Sequence, residues 1–476
     1  MRSRPSTTGD ARQRRARVAA IASSTAHVGF FAVVVLSPFR GRWVAVERRT
    51  PPIYGEFTDV LVSASDVALA VTLVGWLVAR RLDRRRVVFG PRVVAWPAGL
   101  LLAVAAVGVP FAFDVSLSAM TTLRLAALLA LAVYVADEVE HVRHLVLPTC
   151  VMVAVQAVIG IGQVVGQRSL ALGRLGEHLL RPELGVSVIT TAGGTRVLRA
   201  YGLTDHPNIL GGMLAFGTLV IVGGAASGSR GRHGDVDRRP RSEGRRDLVV
   251  AISFAVLALA GGCLFLTFSR GAWIATVAGL VVLVGMLALG PERGAVMRAC
   301  VGAGAVVLGV APFVGPFHDV VAARTDRTST IQTEVRSLDE RHALSDITSR
   351  IVVDHPLLGV GVGGLPLAMR AADPDFRYDY QPAAAVLLDV TAETGFIGGF
   401  AYLVLLTAPW IAMVRHRRTW NAELAAASAV LAAVTVVGFV DYYTWTYAPG
   451  RIWMWLALGW WAGAYARSRQ EPSSDV

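Results

Sequence analysis

Apolar and polar residues alternate along this 476-residue chain in long blocks rather than position by position. Twelve apolar blocks are each long enough to cross a bilayer, because a hydrocarbon core about 30 Å thick needs about 20 residues of helix. They lie at about 18–36, 58–79, 92–113, 117–136, 145–166, 207–227, 248–268, 272–290, 299–316, 386–413, 421–440 and 452–467. These blocks lack the alternation of a barrel strand. The pattern therefore predicts an all-α integral membrane protein with about twelve transmembrane helices.

The polar blocks predict how these helices are oriented. A basic tail, residues 1–17, precedes the first helix, and Arg-rich segments follow predicted helices two, six and ten. Cytoplasmic loops of membrane proteins carry an excess of basic residues. Both termini, the tail 1–17 and the tail 468–476, are therefore expected in the cytoplasm. The short loop 137–144 departs from this rule, since it contains three acidic residues and one arginine.

Two long polar segments then fall on the outer face. One is the loop 167–206, within the block 18–316 that contains predicted helices one to nine. The other, residues 317–385, separates helix nine from helices ten to twelve in 386–467, and its apolar residues follow a helical spacing. We expect this larger segment to form a small extracytoplasmic cap. No internal repeat is visible, which argues against an inverted-repeat transporter.

Composition narrows the function further. The hydrophobic fraction is 54% and the mean hydropathy is +0.52, which suits a membrane protein. All 46 basic residues are arginine, so chemistry that needs a lysine, such as a P-loop or a Schiff base, is not expected. The net charge of +12 is explained by Arg clusters beside helices, and we expect no nucleic-acid partner. Cys150, Cys263 and Cys300 lack metal-ligand spacing and are expected to be small core residues, so no metal site is predicted.

Two of three polar motifs place arginines at the outer face. The first runs from Arg199 to Asn208 before predicted helix six, and the second is Ser269-Arg270-Gly271 between helices seven and eight. A charged side chain inside the bilayer costs about 2.5–3.5 kcal/mol, so Arg270 is expected to face a cavity, with a snorkelling interfacial arginine as the alternative. Guanidinium groups that converge there would suit a pyrophosphate, because their planar donors pair with phosphate oxygens.

The third motif, Asp354 to Gly364, lies in the large outer segment. Its glycines follow no βαβ pattern, so they predict tight turns or close backbone approach rather than a dinucleotide loop. His355 and His206 each precede a proline, and such histidines are more often structural than catalytic. Asp441 and its two following tyrosines could line the same outer pocket, although an interfacial aromatic belt explains the tyrosines equally well.

Together the three motifs resemble the O-antigen ligase and O-antigen polymerase superfamily of polytopic membrane glycosyltransferases. The marks of that family are an Arg-x-x-Gly and His-Pro-Asn stretch, a Ser-Arg-Gly at a helix start, and a His-Pro-Leu-x-Gly-x-Gly in a large outer loop. They occur here in the same order as Arg199 to Asn208, Ser269 to Gly271, and His355 to Gly363. The resemblance covers roughly predicted helices five to ten.

The resemblance implies transfer of a saccharide from undecaprenyl pyrophosphate to a glycan or lipid acceptor, for a cell-surface polysaccharide. It implies a multi-pass protein of the bacterial cytoplasmic membrane that acts at the outer face without a metal or other cofactor. Positions matching Arg199 and Arg270 would bind the pyrophosphate and stabilise its growing charge. Arg341 matches a further basic position, and His206 and Asn208 complete the expected substrate-binding set.

The chain departs from the family at one important place. A His-Asn pair normally precedes a Glu-Thr-Gly-x-x-Gly stretch, but the corresponding residues here are Ala384 and Ala385. Another group must then serve as the base, and the candidates are Asp389, Glu393 and His355, with His206 as a further option. Asp389 and Glu393 are four residues apart, so one helical face presents both. The alternatives to an active transferase are a non-catalytic homologue that binds lipid-linked glycan and, third, a secondary transporter.

Overall fold

The computed structural model describes residues 7–48, 50–183, 186–191, 193–228, 241–290, 293–325 and 332–470. The terminal residues of both predicted tails (1–6 and 471–476) and most of the Arg-rich segment 229–246 lie outside the described residues. The chain is mostly helical. Its α-helices are α1 (Thr7–Leu36), α2 (Gly55–Thr58), α3 (Ala64–Asp83), α4 (Arg92–Gly108), α5 (Val115–Glu138), α6 (Arg143–Gly166), α7 (Pro207–Ser227), α8 (Arg241–Leu266), α9 (Arg270–Leu289), α10 (Arg293–Val314), α11 (His318–Thr325), α12 (Gln332–Asp354), α13 (Leu365–Ala372), α14 (Val386–Arg415), α15 (Ala422–Val440), α16 (Tyr443–Thr446) and α17 (Ala448–Ser468).

Ten helices of the described chain are long and apolar enough to cross a membrane. They lie in α1, α4, α5, α6, α7, α8, α9, α10, α14 and α15. The other two predicted spans correspond to α3 and α17, which have 20 and 21 residues. Both are long enough to span, but α3 ends in arginines and α17 is rich in tryptophan, whose polar indole N–H lowers its hydropathy. The polytopic helical class is confirmed, and the count of twelve stays a prediction.

Helices α7, α15 and α17 form the centre of the bundle. Nearly every residue of α7 is buried, and α17 packs between α5 and α15. Small residues permit this close packing, which is the usual driving contact between helices in a membrane. A Cβ at Gly223 would overlap Ala426 on α15 or force it to shift, and one at Gly459 would overlap the backbone of α5. Cys150 and Cys263 are buried in this bundle as expected, but Cys300 is exposed on α10, so its predicted core position is wrong.

Helix α14 is broken at Gly395, whose φ of 69° no helix contains. The glycine-rich segment 355–364 fills the break: the N–H groups of Val360 and Gly361 donate to the carbonyls of Ala392 and Glu393, each at 3.0 Å. Irregular backbone at membrane depth is tolerated only where such partners exist. The glycines therefore serve the close backbone approach predicted from the sequence.

The described parts of the segments 37–63, 167–206 and 315–385 meet at one end of the bundle, called here the cap end. Two short antiparallel hairpins that the hydropathy pattern does not predict lie there, β1 (Arg42–Val46) with β2 (Val60–Ser63) and β3 (Val188–Thr190) with β4 (Arg196–Leu198). A separate apolar cluster joins α12 and α13 to α2, with Leu344, Ile347 and Met369 fully or almost fully buried. Helix α12 agrees with the helical spacing in this segment, while the domain boundaries remain predictions.

Candidate functional site

A polar cavity lies at the cap end where α7 and α9 begin and α15 ends. It is called here the arginine cavity, and its lining consists of Asn208, Ser269, Arg270, Gly271, Ala272, Arg341, Val437, Val440, Asp441 and Tyr443. Three of the residues predicted to bind substrate, Asn208, Arg270 and Arg341, therefore line one cavity, although they are far apart in the sequence. The fold brings two guanidinium groups, an amide and a carboxylate together.

The local sequence explains why helices α7 and α9 start at this cavity. His206 is the N-cap of α7, and its Nδ1 accepts a hydrogen bond from the backbone N–H of Asn208 at 3.2 Å, with Pro207 at the favoured first position. Ser269 caps α9 through a 3.4 Å hydrogen bond from the N–H of Ala272. Arg270 is consequently the first residue of α9. His206 acts here as a helix cap, and its predicted contact with substrate stays a prediction.

The turn between α8 and α9 is unusually tight. Phe268 adopts a φ of 48°, a left-handed conformation that few residues other than glycine take up. Strained backbone of this kind persists where surrounding contacts enforce it, and it often occurs at functional sites. On one side of Phe268 the Thr267 carbonyl accepts from Arg199, and on the other side Arg270 lines the cavity.

Arg199 lies behind the cavity rather than in its lining. Its side chain is buried, and Nε donates to the carbonyl of Thr267 at 2.7 Å, Nη1 to Ser187 Oγ at 2.8 Å, and Nη2 to Asn208 Oδ1 at 2.7 Å. Arg199 is thus bonded to the turn between α8 and α9 that precedes Arg270. The contacts of Arg199 are with protein groups, however, and its predicted direct contact with pyrophosphate stays a prediction.

Asp441 completes a directional hydrogen-bond chain. Because Arg199 donates to Oδ1 of Asn208, the amide nitrogen of Asn208 faces Asp441 and donates to its Oδ2 at 2.9 Å. The other oxygen of Asp441 accepts from the N–H of Tyr442 at 2.9 Å. Burial raises the pKa of Asp441, although the bond from Asn208 and the charge of Arg341 oppose this. A carboxylate with a raised pKa is a better proton acceptor near neutral pH.

The other candidate bases lie elsewhere. Asp389 is fully buried, with Oδ1 accepting from the N–H of Ala383 at 2.8 Å and Oδ2 buried without a hydrogen-bond partner. Glu393 accepts from Trp445 Nε1 at 2.7 Å and lines a second cavity. The two carboxylates interact electrostatically, as their spacing predicts, and Asp389 also interacts with Asp441. Neither side chain is among those that line the arginine cavity.

His355 and the two alanines are also outside the arginine cavity. His355 is exposed and packs edge-on against Phe113, with ring centroids 5.9 Å apart. Ala385 is the N-cap of α14 and supplies no side-chain cap, and Ala384 beside it is half-buried. Among the described residues, no three His, Cys, Asp or Glu side chains lie close enough to hold a metal ion together. The catalytic assignments made from the sequence therefore remain predictions.

Asp441 and Tyr443 are the cavity residues that the sequence left among alternatives. The signal for Asp441 is a carboxylate placed directly after the apolar helix α15. Tyr443 is accommodated by Gly212 on α7, because a Cβ on residue 212 would overlap the Tyr443 hydroxyl. The glycine at position 212 is therefore the sequence feature that corresponds to Tyr443. Neither signal identifies a site until the fold brings α7 and α15 together.

The fold and this cavity define a class: a multi-pass helical membrane protein with a charged site at one end of the bundle. Residues 255–403 match the family model described as O-antigen ligase, which confirms the resemblance to that superfamily. The matched segment includes Ser269–Gly271 and the stretch from His355 to Gly395. No curated protein that was searched matches the chain. The family match and the helical fold support a membrane glycan-processing enzyme acting on a lipid-linked glycan.

Proposed function

We propose that the protein transfers a glycan from a polyprenyl-pyrophosphate carrier to a glycan or lipid acceptor, as a polymerase or ligase of a bacterial surface polysaccharide. The observation that carries this proposal is the convergence of Arg270 from α9 and Arg341 from α12 beside the carboxylate of Asp441. Guanidinium groups pair bidentately with phosphate oxygens, and a nearby carboxylate can accept a proton.

The reaction needs one bond formed and one broken. The acceptor hydroxyl oxygen attacks the anomeric carbon, and the bond from that carbon to the pyrophosphate oxygen breaks, leaving its electron pair on the pyrophosphate. Arg270 and Arg341 stabilise this growing negative charge. The hydroxyl proton passes to the carboxylate of Asp441, whose pKa is raised by burial. The lipid pyrophosphate then leaves with its added charge.

Arg199 and Asn208 are positioning residues in this scheme. Arg199 fixes the orientation of the Asn208 amide, and Asn208 in turn holds the Asp441 carboxylate by a 2.9 Å hydrogen bond. Asp441 is preferred over Asp389, Glu393 and His355 because it lines the arginine cavity together with the two guanidinium groups.

The direction of the helices supports an outer-face site on the cytoplasmic membrane. Helices α3 and α14 both start near the cap end, and their opposite ends carry Arg80, Arg81 and Arg415. Basic residues favour the cytoplasmic side, so the arginine cavity would face outward, with both termini in the cytoplasm.

A second candidate function is binding of lipid-linked glycan without transfer. Ala384 and Ala385 favour it, because alanine at these positions can neither take up a proton nor bond a sugar through its side chain. The two functions differ in whether the unaltered protein releases free polyprenyl pyrophosphate.

The test replaces Arg270 in the cell that makes the polymer. Arg270→Ala should lengthen the lifetime of the lipid-linked precursor and shorten or abolish the surface glycan, with transfer falling about 10²–10³-fold, as for loss of one transition-state donor. Arg270→Lys keeps the charge but not the planar fork, and it should restore only part of the activity.

The matched control is Arg350→Ala, since Arg350 is exposed on α12 and does not line the arginine cavity. It should leave the glycan profile unchanged. An unaltered profile for Arg270→Ala at a normal protein level would refute the pyrophosphate site. Release of no polyprenyl pyrophosphate by the unaltered protein would favour the binding function.

A further inference from the structure

A second polar cavity begins where the arginine cavity ends along the chain. Asp441 and Tyr443 line the arginine cavity, whereas the following residues Trp445 and Thr446 line this one. Its lining also includes Thr121 and Arg124 from α5, Glu393 from α14 and Arg451 from α17. It is called the second cavity below.

Two arginines of the second cavity have unused hydrogen-bond donors. The buried Nε of Arg451 has no partner, and its guanidinium makes no hydrogen bond or ion pair with the described residues. Arg124 uses Nη2 to reach the carbonyl of Leu61, the one hydrogen bond found for its guanidinium in the described parts of the chain. A guanidinium has five N–H donors, and buried donors are nearly always satisfied. The buried, unpartnered Nε of Arg451 indicates a missing acceptor, and the accessible donors of Arg124 line the same cavity.

The position of Arg124 is a second indication of a binding site. It lies inside the apolar helix α5, more than two turns after that helix begins at Val115. An ionisable residue within a membrane span is costly, and such residues commonly mark a functional site. Arg124 and Arg451 are also close enough to interact electrostatically, and two like charges in a buried site repel each other.

Nearby carboxylates are engaged with other groups. Glu393 accepts from Trp445, Glu56 accepts from the Tyr447 hydroxyl at 2.7 Å, and Asp66 takes part in the capping box of α3. Asp59, which also lines the second cavity, accepts from the backbone N–H of Arg48 at 2.7 Å. None of these four carboxylates forms an ion pair with Arg124 or Arg451 in the described part of the protein. The pair of guanidinium groups thus lacks a close anion, although acidic residues surround it.

We propose that the second cavity binds an anionic group of the acceptor, a carboxylate or a phosphate, between Arg124 and Arg451. Identifying the bound molecule as the acceptor rests on the function proposed above, whereas the presence of an anion site does not. Segment 441–446 joins the two cavities, so an acceptor anchored by its charge would lie beside the pyrophosphate site. The hydroxyls of Thr121 and Thr446 supply further bonding groups for a sugar.

The test measures anion binding to the full-length protein in neutral detergent, by the thermal unfolding midpoint with glucuronate or inorganic phosphate. Arg451→Gln should weaken the apparent affinity for the stabilising anion at least tenfold. Without anion its midpoint should equal or exceed that of the unaltered protein, because the variant removes an uncompensated buried charge. Arg124→Gln should show the same loss of affinity.

Two controls separate this site from the arginine cavity. Arg350→Gln, exposed on α12, should keep the full response, and Arg270→Gln should keep the response to glucuronate. If glucuronate stabilises the protein, the anionic group of the bound molecule is a carboxylate. If only phosphate does so, that group is a phosphate. Stabilisation only by phosphatidylglycerol micelles would instead assign a lipid headgroup and overturn the acceptor site.

An Arg451→Gln protein with an unchanged anion response, or with a lower midpoint in the absence of anion, would also overturn the proposal. The first shows that the guanidinium binds no anion, and the second shows a structural role. If Arg451-dependent anion binding persists while the unaltered protein transfers no glycan, the enzyme proposal fails and the site stands.

Discussion

Asp441→Asn isolates the proposed base with almost no change in shape. Asp441 accepts two hydrogen bonds, one from Asn208 and one from the N–H of Tyr442. Asn208 cannot flip, because Arg199 requires its oxygen on the other side. The new amide must therefore place its oxygen towards Asn208 and its NH₂ group towards the N–H of Tyr442. One half-buried donor is left without a protein partner, which costs at most about 1–3 kcal/mol of stability.

The effect on transfer should be larger than the effect on stability. Loss of a general base lowers a rate by about 10²–10⁴-fold, or about 3–5 kcal/mol in activation free energy. The pH dependence of transfer tests Asp441 as the proton acceptor more directly than the rate alone. Burial raises the pKa of Asp441, so transfer by the unaltered protein should rise with pH across a limb above the ordinary range of an aspartic acid. At lower pH the carboxyl is protonated and cannot accept a proton.

The assay measures kcat/KM for release of polyprenyl pyrophosphate by purified protein in liposomes. The pH runs from about 4 to about 8, an interval that starts at the ordinary pKa of an aspartic acid and extends above it. Asp441→Asn should remove the rising limb and leave a low, flat profile. Asp389→Asn is the matched control, since Asp389 is a second aspartate near Asp441 but is fully buried and does not line the arginine cavity. If Asp441→Asn keeps the limb and Asp389→Asn loses it, the base is Asp389 and the reasoning from the cavity is refuted.

Two further predictions test the family comparison and the fold. The double change Ala384→His with Ala385→Asn should raise transfer if the family chemistry has decayed here, as measured by polymer yield; reduced transfer would show that another base has taken over. Gly361→Ala should lower the unfolding free energy by about 2–4 kcal/mol in thermal scans, because φ is 88° and a Cβ would overlap Ala112. Gly285→Ala, whose Cβ meets open space in α9, should not destabilise, and equal effects of both would contradict this.

Hydropathy alone predicted most of the helices because membrane insertion selects for length and apolar character. Predicted span 207–227 coincides with Pro207–Ser227 in α7, whose start is set by a histidine cap and a first-turn proline. The tryptophan-rich α17 shows the limit of this signal. Its indoles are buried between other helices, where they contribute packing area that a hydropathy scale does not credit.

The break in α14 was beyond prediction from periodicity. Residues 386–413 form one mostly apolar block with two acidic residues near its start, and Gly395 within it is an ordinary residue of a membrane helix. The break becomes stable only because the segment from His355 to Gly364, some thirty residues earlier, supplies backbone N–H groups to the freed carbonyls. Partners that are distant in sequence cannot be inferred from local patterns. Glu393 lies at this break and lines the second cavity.

Arginine motifs on their own do not distinguish a ligand-binding group from an anchor. Arg199 and Arg270 stood in equivalent motifs, and both were expected to bind pyrophosphate. The planar fork that suits a phosphate also suits a carbonyl, a hydroxyl and an amide at once, and Arg199 bonds to one of each. What separates the two arginines in the fold is that Arg270 lines the arginine cavity and Arg199 does not. The test of that distinction is the directional chain itself: if Arg199 acts through Asn208, its loss should disturb the Asp441 pH limb as well as the affinity for the carrier.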